Sequence, residues 1–174
     1  MALTAAQQEL VAEVARSQVA EIAPHETTLF RATSEAYFKR PNESQRKQVG
    51  DGDMLGFGVG GAVTFLTPVI LAVATEVVTF LALELSKQLK AETTDTITAL
   101  IKRLFKPLKS KAEAAGADGG SGGGSKPAAD PPPLSQQQLT KIRKLVYEKA
   151  KQFQLVDDQA ALLADSMVGN LVVT

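Results

Sequence analysis

Residues 54–85 read MLGFGVGGAVTFLTPVILAVATEVVTFLALEL. From Met54 to Thr75 there are 22 consecutive residues without a charge. At about 1.5 Å of rise per residue a helix of that length covers roughly 33 Å, close to the hydrocarbon thickness of a bilayer. The run continues past Glu76 and Glu84, and Ala72, Thr75, Glu76, Thr79, Ser86 and Lys87 share one narrow stripe on a helical wheel. Everything else around the wheel is apolar, so the helix is expected to be buried nearly all round. Two surroundings satisfy that pattern. One is a membrane. The other is a soluble bundle in which Pro68 divides a glycine-rich first half from a second half at 69–90. Against insertion stand the threonines and the in-line Glu76, since a charge at the bilayer centre costs about 2.5–3.5 kcal/mol.

Working outward, four basic residues precede the run (Lys39, Arg40, Arg46, Lys47) and four follow it (Lys87, Lys90, Lys102, Arg103). A bias in flanking Lys and Arg sets orientation in a bilayer, and this balance sets none. A hairpin with both flanks on one side would produce it.

Upstream, residues 4–23 carry Val11, Val14, Ala15, Val19 and Ile22 at helical spacing, and Thr4 with Gln7 has the spacing of a capping box. Pro24 ends this helix. A second is expected over 26–40, with Leu29, Phe30, Ala36 and Tyr37 on its apolar side and Pro41 beyond it. Residues 42–53 are polar and read as a loop. Downstream, residues 94–106 place Ile97, Leu100, Ile101, Leu104 and Phe105 at i, i+3, i+4, i+7 and i+8, an amphipathic helix. Residues 112–134 are Gly, Ser, Ala, Asp and Pro with nothing to build a core, and read as a flexible tether stiffened by Pro131-Pro132-Pro133. Residues 135–174 form two further helices. Ser135 and Gln138 repeat the capping-box spacing, Leu134 is placed as a hydrophobic staple, and Leu155-Val156-Asp157-Asp158 reads as the turn with a ready N-cap.

The fold expected is therefore all-α: a helical module over 1–111 built around the long apolar segment, a tether over 112–134, and a helical hairpin over 135–174. Two helices of this length bury too little surface to be stable alone. The hairpin should dock on the first module, dimerise, or recruit a partner.

Composition removes several chemistries. There is no Cys, which excludes disulfides, thiolate metal sites and thiol nucleophiles. Basic and acidic residues are 19 each, so no net field attracts nucleic acid, and zinc-finger or helix-turn-helix spacing is lacking. His25 is the single histidine, too few for a multi-histidine metal site. It reads as a turn residue, with no nucleophile elbow to serve. Asp51-Gly52-Asp53 is shorter than a calcium loop. Gly56-Phe-Gly58-Val-Gly60-Gly61 matches G-x-G-x-x-G by letter, yet Gly-Asp-Gly-Asp stands where a dinucleotide fold needs a strand. No catalytic, cofactor or metal set is expected.

What remains is contact chemistry. Gly56 and Gly60 have the small-xxx-small spacing of closely packed helices. With Glu76 and Thr79 they are the residues expected at a helix-packing or oligomer contact. Glu76 reads either as a carboxylate facing water or a partner, or as an ionisable group inside a membrane. Lys102, Arg103, Lys106 and Lys109 read either as cations suited to a helix C-terminus or as a patch touching anionic headgroups. Leu139, Ile142, Val146, Phe153, Leu163 and Met167 line the hairpin's apolar face, where a partner helix would bind. The function expected is a non-enzymatic, membrane-associated assembly or adaptor protein. The alternatives are a soluble homo-oligomer whose apolar segment is a subunit interface, and a small pore former or toxin. The partners expected are a second copy, another helical protein or a lipid membrane. No basic leader stands before the first helix, so a cytoplasmic or cytoplasmic-membrane location is expected rather than export.

Overall fold

The computed structural model describes residues 3–39, 66–89, 93–105, 132 and 134–171. Among them are six α-helices and no strand: α1 Ala5–Ile22, α2 Phe30–Lys39, α3 Leu66–Gln88, α4 Thr94–Leu104, α5 Gln136–Gln152 and α6 Asp157–Gly169. A 3-10 turn, Pro24–Glu26, joins α1 to α2. The all-α expectation holds.

The organising element is α3. It packs against α1, α2, α4 and α5, and α6 packs on α5 and reaches α1. One apolar cluster runs through every helix. Its centre is Val69 to Ala74 with Val77, Val78 and Leu81, all essentially excluded from solvent. Each buried side chain of this size contributes about 1.5–3 kcal/mol relative to exposure, which makes α3 the main source of burial. The polar stripe read around α3 is only partly a surface. Ala72 is buried, Thr75, Glu76 and Thr79 are half-covered, and Ser86 and Lys87 are exposed.

The flanking helices start where their caps are. Thr4 accepts from the Gln7 amide at 3.3 Å while Gln7 Oε1 accepts from the Thr4 amide at 3.0 Å. Ser135 and Gln138 repeat this at 3.3 and 2.9 Å. Leu134 and Leu139, the staple positions on either side of the Ser135 cap, are both buried.

Three expectations are corrected. The second helix does not run from residue 26 but from Phe30. Pro24 begins the 3-10 turn, Thr27 Oγ1 donates to the Pro24 carbonyl at 2.7 Å, and Glu26 is turned toward α3 instead. Pro68 does not precede the second half of the apolar run, which starts at Leu66 rather than residue 69. It lies in the first turn of α3, where a missing N–H leaves no intrahelical bond unmade. Asp157 is not the N-cap of the last helix. Val156 holds that position without a side-chain bond, and Asp157 and Asp158 occupy the first turn. The remainder of the predicted apolar segment, 54–65, lies outside the described residues.

The α5–α6 turn closes by a Schellman motif. The Gln154 amide donates to Lys151 O at 2.9 Å and the Leu155 amide to Ala150 O at 3.2 Å. Gln154 takes φ 61°, the left-handed region that glycine adopts most cheaply. Of the three routes open to the hairpin, the structure shows docking. Its face lies in the common core, and beyond α6 the backbone of Leu171 pairs with Phe105 just past α4.

Candidate functional site

The candidate site is the surface of α3 together with the elements that cover it. Its N-terminus is held by a residue that sequence reasoning passed over. Glu26, 3 % exposed, accepts from the Leu66 amide at 2.8 Å, the Thr67 amide at 2.8 Å and Thr67 Oγ1 at 2.6 Å. The first amides of a helix lack intrahelical acceptors and carry the positive end of its dipole, so a carboxylate there satisfies both. The cap comes from forty residues upstream, and no local pattern announces it. His25 beside it is largely exposed, as expected for a turn residue.

Beyond Thr67, the threonine hydroxyls of α3 are satisfied within the helix. Thr75 Oγ1 donates to the Leu71 carbonyl and Thr79 Oγ1 to the Thr75 carbonyl, each at 2.8 Å. Tyr37 Oη lies 3.4 Å from Thr75 Oγ1. A threonine bonded to its own helix presents a methyl group outward and tolerates an apolar environment.

The carboxylates of α3 are met by α5. Glu76 pairs with Lys149 Nζ at 2.9 Å, with side-chain exposures of 44 % and 19 %. Glu84 is 3.2 Å from Lys87 in its own helix and 3.5 Å from Gln138 Nε2 of α5. Between these polar contacts lie Leu139, Ile142 and Val146, all buried.

The hairpin otherwise keeps its charges to itself. Arg143 pairs with Asp165 at 2.7 Å, Lys144 with Glu148 at 3.7 Å and Lys151 with Asp157 at 2.7 Å, and Tyr147 Oη donates to Asp157 at 3.0 Å. The bond from Lys151, then that from Tyr147, holds the Asp157 carboxyl below its ordinary pKa. The bond to Asp157 raises both Tyr147 and Lys151. Further side-chain bonds from the hairpin to the body include Ser166 Oγ to the buried Gln18 Oε1 at 2.8 Å and Asn170 Nδ2 to Glu21 at 2.9 Å.

The sequence-predicted residues distribute unevenly over this site. Glu76 lies at the α3–α5 contact and Thr79 one turn further along α3. Leu139, Ile142, Val146, Phe153, Leu163 and Met167 are all buried within the chain, so in this conformation a partner helix finds none of them. Lys102 is engaged by Glu13 of α1 at 2.7 Å, which takes it out of any loose basic patch. Arg103 sits in the last turn of α4. Gly56, Gly60, Lys106 and Lys109 lie outside the described residues.

Two recesses lie among the described residues of the site. An apolar recess of about 120 Å³ lies among Ile22, Leu66, Ile70, Leu155, Leu162 and Leu163, below the roughly 300 Å³ at which ligand pockets begin. An open groove of about 420 Å³ beside Glu76 is lined by Lys141, Lys144, Glu148 and Lys149, whose charges largely answer one another. Among the described residues no cluster of His, Asp and Glu is arranged to hold a metal. No protein family, curated protein or solved structure matches this chain.

Proposed function

We propose that this is a non-enzymatic, membrane-associating protein whose resting form is the helical bundle, with α3 as the element that enters the bilayer. The observation that carries the reading is α3 itself. Its 23 residues are long and apolar enough to cross a membrane, and the same helix is sheathed by amphipathic helices that keep it out of water.

The energetics allow both states. On insertion scales each Leu, Ile, Val or Phe near the centre contributes about −0.3 to −0.6 kcal/mol and an acidic residue opposes by about 2.5–3.5. α3 holds eleven such apolar residues, so together they offset Glu76, while Glu84 and Lys87 lie toward the end that would meet headgroups. Thr75 and Thr79 add little opposition because their hydroxyls are already bonded to the helix. The assembly role belongs to the same proposal: the tethered hairpin, once off α3, offers its apolar face to a second copy or another helical protein.

A second reading is supported by the completeness of the cover. Val69 to Leu81 is enclosed by the chain's own helices, as in a water-soluble bundle whose core helix merely resembles a membrane span. Flotation of the untagged full chain with liposomes, alongside alkaline carbonate extraction of membranes from cells that express it, separates the two. Protein that floats and resists carbonate supports the membrane reading. Protein that stays at the bottom and washes off supports the soluble bundle.

A further inference from the structure

We infer that the α5–α6 hairpin is an autoinhibitory strap: its docking on α3 and the insertion of α3 into a lipid bilayer exclude each other. This rests on the reading of α3 as a membrane element and assigns its control.

Three observations carry it. First, the hairpin covers the side of α3 that bears its acids. Glu76 is matched by Lys149 and Glu84 is bridged by Gln138, both from α5. Second, the hairpin's own ion pairs, Arg143–Asp165, Lys144–Glu148 and Lys151–Asp157, are internal to it. They travel with it unbroken if it leaves. Among the described residues, the side-chain bonds it would surrender include Lys149–Glu76, Gln138–Glu84, Ser166–Gln18 and Asn170–Glu21, and release also uncovers the apolar face of α5 and α6 that lies in the common core. Third, residues 106–134 joining it to α4 are dominated by Ala, Gly, Lys, Pro and Ser. This covalent connection keeps a released hairpin near its seat, so release is reversible. Partly exposed ion pairs contribute only about 0–1 kcal/mol each, so Lys149–Glu76 adjusts the balance without locking it.

The partner is a bilayer, and the probe is a set of phosphatidylcholine vesicles containing a minority of phosphatidylglycerol. Lys149→Glu places two carboxylates together at the α3–α5 contact. It is expected to raise the undocked population by about tenfold, a 1.4 kcal/mol change, and to raise vesicle binding with it. The exchanged pair Lys149→Glu with Glu76→Lys restores attraction and is expected to return docking toward the native level. Hydrogen exchange in α5, without lipid, reads undocking separately from binding, and circular dichroism checks that the helices persist. The second arm leaves that ion pair alone. The chain has no cysteine, so Glu21→Cys with Asn170→Cys accepts a short cleavable thiol cross-linker that fastens the end of the hairpin to α1. The fastened protein is expected not to bind vesicles, and cleavage of the linker to restore binding.

Binding that is equal in fastened and cleaved protein overturns the strap while leaving α3 as a membrane element. Unchanged exchange in α5 on Lys149→Glu also overturns the strap. A hairpin that opens in Lys149→Glu while no form of the protein ever binds vesicles overturns the membrane reading itself.

Discussion

Three single residues show what local sequence patterns leave unannounced. Glu26 caps α3 through three hydrogen bonds while almost fully buried. Glu26→Ala leaves the Leu66 and Thr67 donors without that acceptor, and bonds to charged groups contribute about 1.5–3 kcal/mol. A loss of about 2–3 kcal/mol is expected, read as a lowered urea midpoint with unchanged slope. Gln154 sits at positive φ in the Schellman turn, so Gln154→Gly is expected to stabilise by about 0.5–1 kcal/mol in the same assay. Tyr147 is raised above its ordinary pKa by its bond to Asp157. A proton-bearing group with a raised folded pKa contributes stability below its unfolded value and loses it as pH climbs through the folded one. The Asp157 carboxyl is lowered, so its contribution is present above the unfolded value near 3.8 and is lost as pH falls through the folded one. Asp157→Asn is expected to move one tyrosine titration back toward 10, visible by phenolate absorbance because the chain has only two tyrosines. None of these partnerships was legible from sequence. Glu26 looked like a helix residue, and Gln154 carries no glycine to mark the turn. By contrast Thr4 and Ser135 were legible, because a capping box is read within four residues.

Among the elements, the helices were legible where apolar spacing is regular, as in α1, α4 and α5, and in α1 and α5 a local cap agrees with it. They were misplaced where a distant contact decides, as at the start of α2. The apolar character of α3 was also legible, but not its surroundings, since a bilayer and a protein core impose the same pattern on a helix. The α1–α6 contact shows why the hairpin's seat was hidden: Gln18 and Ser166 meet across nearly the whole chain. Ser166→Ala strands the buried Gln18 amide and is expected to cost about 1–2 kcal/mol. Adding Gln18→Leu to it is expected to recover most of that loss, because both polar partners are then gone. A double-mutant cycle by chemical denaturation measures the coupling.

For the molecule as a whole, the all-α build with a C-terminal hairpin was legible from the sequence, and the single core was not; the expected tether lies almost wholly outside the described residues. The face of Leu139, Ile142 and Val146 was expected to meet a partner, and it meets α3 of its own chain. The same face that suits a foreign helix suits this one, and the tether favours the intramolecular choice by raising local concentration. Glu76 and Thr79 were singled out on the stripe of α3, whereas Lys149, which answers Glu76 from α5, was not, because no local pattern joins residues 73 apart. The whole account turns on whether α3 leaves this core for lipid. The chain contains no tryptophan, so Phe80→Trp, at a half-buried position of α3, creates a single fluorophore there. Its emission is measured as vesicles carrying brominated acyl chains are added. Quenching by bromine near the bilayer centre is the expected result, with α3 in the hydrocarbon. Emission that stays unquenched while intact protein and vesicles are mixed at saturating lipid contradicts the account and leaves α3 as the core of a soluble bundle.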